Sequence, residues 1–164
     1  MSKPQKSSQT PAELSLVKLF QTTFTTQIKN QASLSSIKIV PATPSSESIM
    51  IQRTSIILVP LDVLTIIKRN YKIISDIKKI IPGSKIYLVR DSEIHKNNLK
   101  GITEDICFPA KLKGILNEYV SEDDIRKKVL VENYHNSEGE GVKEMEVVYE
   151  TIVGNECRFE ISNF

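Results

Sequence analysis

The pattern of apolar and polar positions begins with one amphipathic helix. Apolar residues recur at helical spacing as far as Ile28 and form a single stripe. Thr10 precedes the stripe, Pro11 occupies the first helical position and Glu13 the third, so a capping box is predicted there. We expect a helix from Thr10 to about Asn30, held by packing because its paired threonines have low helix propensity.

The strongest local pattern is a strand, a helix and a second strand in the middle of the chain. Thr54–Val59 is a nearly continuous β-branched run, which is typical of a buried strand. Between residues 61 and 81 apolar residues return every three or four positions, and Pro82 and Gly83 then end the helix. Residues 85–89 form another apolar run, so a βαβ unit with two parallel strands and a right-handed crossover is predicted.

The remaining segments predict shorter elements. A short strand is expected at residues 37–40, and a helical turn at 101–106. Two extended stretches, 112–119 and 125–132, are joined by an acidic turn and indicate a β-hairpin. A helix is expected from Val142 to Ile152, with Gly154 after its end and three glutamates facing outward, and a strand at 157–161 ends the chain. The outward glutamates are Glu144, Glu146 and Glu150.

These elements predict an α/β fold with a mixed β-sheet, a βαβ unit, a β-hairpin, packed helices and an N-terminal helix. We expect one domain over residues 10–164, preceded by a flexible basic tail at residues 1–9. Apolar residues make up 40% of the 164 residues, which excludes disorder throughout. The absence of a long apolar run argues against a membrane span and a secretory signal. Two distant cysteines fit buried thiols in a reducing cytosol.

The charge is unevenly distributed along the chain. Residues 1–100 hold 15 basic and 6 acidic side chains, a net charge of +9, whereas residues 101–164 hold 7 and 14, a net charge of −7. The total of +2 therefore hides a basic half and an acidic half. Such an asymmetry indicates a polyanionic partner for the basic half.

Candidate catalytic residues are weakly supported. His95 and His135 lie in polar loops without a nucleophile-elbow context, and a solvated side chain is the simpler interpretation of both. Asp123 and Asp124 fall in the predicted hairpin turn, where aspartate is common for backbone reasons. The chain has no Walker A sequence and only a fragment of a dinucleotide fingerprint around Gly139. We expect no enzymatic activity, cofactor, metal or small-molecule substrate.

Basic side chains on the central helix and the loop after it carry more information. Helical geometry predicts that Lys68, Lys72 and Lys79 lie near one another, and each cation that meets a phosphate adds sequence-independent affinity. The alternative is a helix kept soluble by its polar face. The predicted RNA-binding residues are Lys68, Arg69, Lys72, Lys78, Lys79, Lys85, Arg90, Lys96 and Lys100.

The order of four sequence blocks resembles the eukaryotic small-subunit ribosomal protein seven family, which is distinct from the bacterial protein with that number. The blocks are Pro11-Ala12-Glu13, Ile56 to Val89 with its Pro82-Gly83, Glu104-Asp105-Ile106-Cys107-Phe108-Pro109, and Val142 to Phe164. The chain departs from the family in two ways. The long basic loop after the second strand is shortened, so that only Arg90, Lys96 and Lys100 represent it, and the charged signature of the long helix is diluted.

The resemblance implies a structural component of the cytosolic small ribosomal subunit, nucleolar during assembly. Such a protein binds ribosomal RNA and neighbouring ribosomal proteins and takes part in assembly and rRNA processing. One alternative is a free adaptor or assembly factor that binds a protein partner through its apolar N-terminal helix. A small hydrolase or transferase is a further alternative, and it requires a pocket with convergent titratable groups.

Overall fold

The computed structural model of the chain describes residues 9–42, 53–92, 94–132 and 139–162, with side chains from residue 142 onward in the last range. In chain order the elements are α1 (Pro11–Thr23), a 3₁₀ turn (Gln31–Ser36), β1 (Lys38–Pro41), β2 (Thr54–Val59), α2 (Leu61–Arg69), a 3₁₀ turn (Tyr71–Ile73), α3 (Ile74–Ile80), β3 (Lys85–Arg90), α4 (Leu99–Cys107), β4 (Leu112–Ser121), β5 (Asp124–Glu132), α5 (Gly139–Val153) and β6 (Cys157–Ser162).

The mixed α/β class, the parallel strand pair, the hairpin and the N-terminal helix are confirmed. The strands, however, form two three-stranded sheets rather than one. In sheet 1, β2 lies between an antiparallel β1 and a parallel β3. In sheet 2, β5 lies between an antiparallel β4 and a parallel β6. Apolar patterns predict strands but do not specify which strands become neighbours, and this explains the difference.

Sheet 1 is buried on both faces and separates two apolar cores. Ile57, whose side chain points to one face, packs with α1, α2 and α3. Its neighbour Ile56 points to the other face and packs with α4, α5 and sheet 2. Both side chains are fully buried. The continuous apolar run of β2 therefore reflects a strand that serves two cores at once.

Helix α1 begins as predicted and ends earlier. The Thr10 hydroxyl accepts a hydrogen bond from the Glu13 amide at 3.2 Å, and the Glu13 carboxylate accepts one from the Thr10 amide at 2.7 Å. The helix stops at Thr23 rather than near Asn30. Threonine hydroxyls donate to backbone carbonyls in this region, for example from Thr25 to Gln21 at 2.6 Å, and such bonds compete with a regular helix.

The tail prediction falls largely outside the described residues, which begin at Gln9. The Gln9 side chain is hydrogen-bonded, since its amide nitrogen donates to the carbonyls of Leu34 and Ile37 at 3.2 and 3.0 Å. The last residue of the predicted tail therefore contacts the 3₁₀ turn that follows α1 and the residue after it.

The central helix is interrupted, contrary to the prediction of one helix over residues 61–81. Helix α2 ends at Arg69, a 3₁₀ turn follows, and α3 begins at Ile74. Asn70 lies at the break, where its side-chain amide donates to the Ile66 carbonyl at 2.9 Å. An asparagine that bonds to nearby backbone favours a helix end over a helix interior. Tyr71 then turns toward the ring of Phe108, with 5.1 Å between the ring centroids.

Two of the three glutamates predicted to face outward on α5 make contacts within the protein instead. The carboxylate of Glu146 accepts a hydrogen bond from the Phe159 amide of β6 at 3.0 Å. Glu144 pairs with Lys85 of β3 at 2.6 Å. These two side chains connect α5 to both sheets, so charge alone was a poor guide to which side of this helix is exposed.

The two cysteines are free and buried, as expected from the sequence. Both belong to the core between the two sheets, with Cys107 at the end of α4 and Cys157 at the start of β6. Burial raises the pKa of Cys107 to about 12 and that of Cys157 to about 11. Both thiols are therefore protonated and weakly nucleophilic at neutral pH.

Candidate nucleic-acid interface

Four predicted RNA-binding residues follow one another on the surface of the α2–α3 segment. Arg69 ends α2, Lys72 lies in the 3₁₀ turn, and Lys78 and Lys79 lie in the last turn of α3; all four are exposed. Lys79 has one long ion pair, 3.8 Å from Asp76, in which both side chains are largely exposed. Exposed pairs of this kind contribute little, so the positive charge of the segment remains available to an anionic partner.

Two further predicted residues lie after β3. Lys96 lies in the loop between β3 and α4, and Lys100 lies in the first turn of α4; both are exposed. Because the carboxyl ends of β2 and β3 lie at the same edge of sheet 1, this loop is near the start of α2. Lys78 and Lys79 of α3 come just before β3, so they lie near the opposite end of its strands. The structure therefore does not gather the six exposed cations into one compact patch.

The other three predicted residues form ion pairs within the protein, and two of them share one partner. The side chain of Asp105 in α4 is fully buried. Its Oδ2 accepts hydrogen bonds from the Arg90 backbone amide at 3.0 Å and from Arg90 Nε at 2.7 Å, and its Oδ1 accepts from Arg90 Nη2 at 3.1 Å. Oδ1 also accepts from Lys68 Nζ at 2.5 Å. The side-chain hydrogen bonds from Arg90 to Asp105 raise the pKa of the Arg90 guanidinium.

The Lys68–Asp105 pair connects the two layers that cover sheet 1. Helices α2 and α4 pack on opposite faces of this sheet, and β3 is its edge strand among the described residues. The Lys68 side chain must therefore pass around the edge of β3 to reach Asp105. Lys68 is only 25% exposed, and the helix break after Arg69 removes the unbroken helix on which its projection beside Lys72 and Lys79 relied.

A glycine leaves room for the Arg90 guanidinium. A Cβ atom at Gly101 would lie only 2.7 Å from Arg90 Cζ and 2.7 Å from Asn98 Nδ2. The Asn98 side chain caps α4 by accepting a hydrogen bond from the Gly101 amide at 3.1 Å. Gly101 thus allows the start of α4 to approach Arg90 closely, and a larger residue would displace the guanidinium from Asp105.

A shallow cleft lies beside this ion cluster. Its lining residues are Leu64, Ile67, Lys68, Tyr71, Ile86, Tyr87, Leu88, Asp105 and Phe108. The Lys68 ammonium lies 5.2 Å from the centroid of the Phe108 ring, within the range of a cation–π contact. The internal volume is about 10 Å³, which is about the space of one water molecule. The side chains beside β3 fill most of this cleft, and the remaining space is too small for a substrate.

The third internal ion pair, between Lys85 and Glu144, lies beside the buried Tyr87. Lys85 Nζ lies 2.6 Å from Glu144 and 5.6 Å from the centroid of the Tyr87 ring, and the Tyr87 hydroxyl donates to Glu144 at 3.4 Å. Burial, together with the Glu144 carboxylate, raises the pKa of Tyr87 well above its usual value. Lys85 therefore serves a contact between β3 and α5 and offers less free charge than an exposed lysine.

Asp105 is the residue that sequence reasoning missed. It was part of a resemblance block, but no role followed from its neighbours, since its partners lie 15 and 37 residues earlier in the chain. A signal was nevertheless present. Ile102 and Ile106 mark an apolar face of α4, and an acid at position 105 lies beside that face. A buried acid requires hydrogen-bond donors or a cationic partner.

The weaker candidates remain isolated. His95 lies half-buried in the loop after β3, and His135 lies outside the described residues. Asp124 pairs with Arg126 at 3.2 Å on the hairpin. In the ranges described, no three histidine, cysteine or acidic residues come together as metal ligands. Of the helices in those same ranges, none has the length and apolar character to cross a membrane.

The comparisons with known proteins give no family for this chain. A scan against protein-family models finds no match, and a search of curated proteins finds none.

Proposed function

We propose that the chain is a non-enzymatic component of the small ribosomal subunit. It binds the backbone of ribosomal RNA and neighbouring ribosomal proteins, and it takes part in subunit assembly and rRNA processing. The cytosolic subunit is its proposed location, with a nucleolar stage during assembly. The proposal rests on the resemblance of four ordered sequence blocks and on the exposed cations of the α2–α3 segment.

The exposed cations are the observation that carries the RNA-binding part. Phosphate contacts need solvent-accessible positive charge that is not committed to an internal pair. Six of the nine predicted residues meet this requirement: Arg69, Lys72, Lys78, Lys79, Lys96 and Lys100. Lys68, Lys85 and Arg90 are withdrawn from the proposed contact set because their charges pair with Asp105 and Glu144.

Binding of this kind positions a protein on RNA without reading bases. The basic side chains of the α2–α3 segment and of the loop after β3 lie toward opposite ends of sheet 1, so they fit an extended RNA partner better than a compact one. Contacts to phosphates and to RNA shape require no aromatic stacking platform, and none of the predicted RNA-binding residues is aromatic.

The direct test is co-sedimentation with small ribosomal subunits in a sucrose gradient at low salt. We expect the chain to travel with the subunits. A chain that remains at the top of the gradient would contradict the proposal. A chain that instead stays with a protein partner after nuclease treatment would favour the adaptor alternative.

A charge-reversal variant tests the role of the α2–α3 segment. The variant is Arg69→Glu, Lys72→Glu, Lys78→Glu and Lys79→Glu. We expect weaker binding to isolated rRNA fragments and a salt dependence of log K that is flatter by up to about 3.6, because each of the four lost phosphate contacts removes about 0.7–0.9 from the slope. Binding is measured by filter retention between 50 and 300 mM salt, roughly the range in which such slopes are resolved.

A matched control separates position from total charge. The control variant is Lys18→Glu, Lys29→Glu, Lys111→Glu and Lys113→Glu, four exposed residues outside the proposed interface. Both variants change the net charge equally. If both flatten the slope to the same extent, the α2–α3 segment is only one part of a diffuse positive surface.

The adaptor alternative relies on the apolar face of α1, most of which packs inside the protein. The apolar stripe of α1 is turned inward, with Leu16 and Phe20 fully buried in the core between α1, α2 and sheet 1. Leu14 is its main exposed apolar residue. A partner that binds α1 in a groove would have to displace this packing.

A further inference from the structure

The hairpin formed by β4 and β5 carries a surface that the RNA contact does not use. Four of its large apolar side chains are at least half exposed: Leu116 (52%), Tyr119 (72%), Val120 (55%) and Ile125 (55%). We call these four residues the hairpin surface. Three lie on β4, and Ile125 lies directly opposite Tyr119 on β5. These side chains do not form one contiguous patch, but their grouping on a single hairpin is what the inference starts from.

The apolar side chains lie on both faces of β4, which favours a partner at its edge. Side chains alternate along a strand, so Leu116 and Tyr119, three positions apart, point to opposite faces. A partner lying flat on one face would cover only one of them. A strand added beside β4 would bring its own side chains against both.

One edge of β4 has no strand partner within the described residues, since β4 is paired only with β5 there. Irregularities in the pairing fall between Leu112 and Gly114 and between Tyr119 and Ser121, and they bound a regular stretch of six residues, 114–119. A Cβ atom placed on Gly114 would meet open space. An exposed edge with free backbone donors and acceptors is a template for another strand.

Charge indicates which partner fits. The turn at the end of the hairpin exposes Glu122 and Asp123, which form no ion pair within the part of the chain that is described. Asp124 and Glu118 are already paired, with Arg126 and Arg158. The two unpaired carboxylates disfavour a phosphate backbone at the turn and favour a cationic group there, although the strands themselves also carry the exposed Lys113 and Lys127.

We propose that the edge of β4 binds an extended, basic segment of another protein by strand addition. Apolar side chains of that segment cover the hairpin surface, and its lysines or arginines meet Glu122 and Asp123. The inference names a site for the protein contacts of the proposed function and rests on that function only for the identity of the partner. RNA and a second copy of this chain are the competing occupants.

The test uses peptides and the full chain. One ten-residue peptide has six alternating valine and threonine residues followed by four lysines, and a second has the lysines first, since the strand direction is open. Matched peptides carry glutamates in place of the lysines. We expect one lysine peptide to bind at least tenfold more tightly than its glutamate counterpart, and to shift the amide NMR signals of residues 114–119. Equal binding of the two, no binding, or shifts confined to other elements would overturn the proposal.

Charge reversal at the turn gives the second measurement. Glu122→Lys combined with Asp123→Lys should reverse the peptide preference, whereas Asp62→Lys combined with Asp76→Lys, an equal charge change on α2 and α3, should leave it unchanged. If the turn variant fails to fold, Leu116→Ser with Tyr119→Ser provides the readout. Lost binding of the lysine peptide supports the proposal, and retained binding opposes it.

Two further outcomes identify the competing occupants. Shifts of the same β4 amides by a ten-nucleotide oligouridylate would assign the surface to RNA and overturn the proposal. Concentration-dependent dimerisation that the Leu116→Ser and Tyr119→Ser changes abolish would assign it to a second copy. Because the peptide experiment contains no ribosomal subunits, its result is separable from that of the co-sedimentation experiment.

Discussion

Asp105 connects three elements of the fold. Its carboxylate receives the Arg90 guanidinium, the Arg90 backbone amide and the Lys68 ammonium, so β3, α2 and α4 meet at one side chain. A buried carboxylate with this many donors is fully compensated, whereas the loss of it leaves two cations without a partner. Asp105 therefore mainly fixes the positions of β3, α2 and α4 relative to one another.

Asp105→Asn should lower the free energy of unfolding by about 3–5 kcal/mol, because the buried guanidinium of Arg90 loses its counter-charge. Urea denaturation followed by circular dichroism measures this change. Asp76→Asn is the control, since it removes an exposed pair at 3.8 Å and should cost less than about 0.5 kcal/mol. Similar costs for the two variants would mean that the contacts of Asp105 with Arg90 and Lys68 contribute no more than a surface ion pair.

At the scale of elements, Glu13 is both a helix cap and a link to the first sheet. One carboxylate oxygen accepts from the Thr10 amide at 2.7 Å, and the other accepts from the Ile39 amide of β1 at 2.7 Å. The capping box was visible in the sequence because it is local. The link to β1, 26 residues away, was not, although Glu13 is buried for that reason.

Glu13→Ala should therefore cost more than Thr10→Ala. Thr10→Ala removes the N-cap hydroxyl and should cost about 1 kcal/mol. Glu13→Ala leaves the Thr10 and Ile39 amides without their carboxylate acceptor and should cost about 2–3 kcal/mol. Thermal and urea unfolding of both variants provides the comparison. Equal destabilisation would show that water replaces the carboxylate at Ile39 without loss.

The positions of helices and strands were predicted from the sequence better than the helix ends and the pairing of strands. Periodicity located the apolar face of the central helix. It did not predict the break at Asn70, whose side chain donates a hydrogen bond to the Ile66 carbonyl. Helix α1 was predicted too long because its threonines donate to nearby carbonyls. The strands were recognised by their composition, while the division into two sheets depends on pairing across the chain.

The candidate site was predictable only in part for a related reason. Exposure of Lys72, Lys78 and Lys79 follows from an amphipathic pattern, which the sequence contains. The engagement of Lys68 and Arg90 depends on an aspartate far along the chain, which the sequence does not align with them. The charge contrast between the two halves is thus partly internal, because acids of the second half neutralise cations of the first.

At the scale of the whole molecule, the two buried thiols should make the free energy of unfolding fall as the pH becomes alkaline. The pKa of Cys107 rises from the usual 9.0 to about 12, and that of Cys157 from 9.0 to about 11. A raised folded-state pKa stabilises the fold fully below pH 9, and this contribution is lost as pH rises through the folded values because the unfolded chain releases its protons first.

Between pH 8 and pH 10 we expect the free energy of unfolding to fall by about 1 kcal/mol for each thiol. Cys107→Ala combined with Cys157→Ala should be less stable than the parent chain at pH 8 but should lose less stability over this interval. Urea unfolding at both pH values gives the difference. Parallel losses in the two proteins would assign the alkaline sensitivity to other groups.

The two apolar cores share strand β2, one on each of its faces, and both therefore depend on that strand when the protein unfolds. Ile56 and Ile57 are adjacent in the chain and support opposite sides of sheet 1. Displacement of β2 removes a wall from both cores, so neither side retains a closed interior when the other opens. The described parts of the molecule should therefore behave as one cooperative unit that melts in a single transition, with no partly folded half available to proteases.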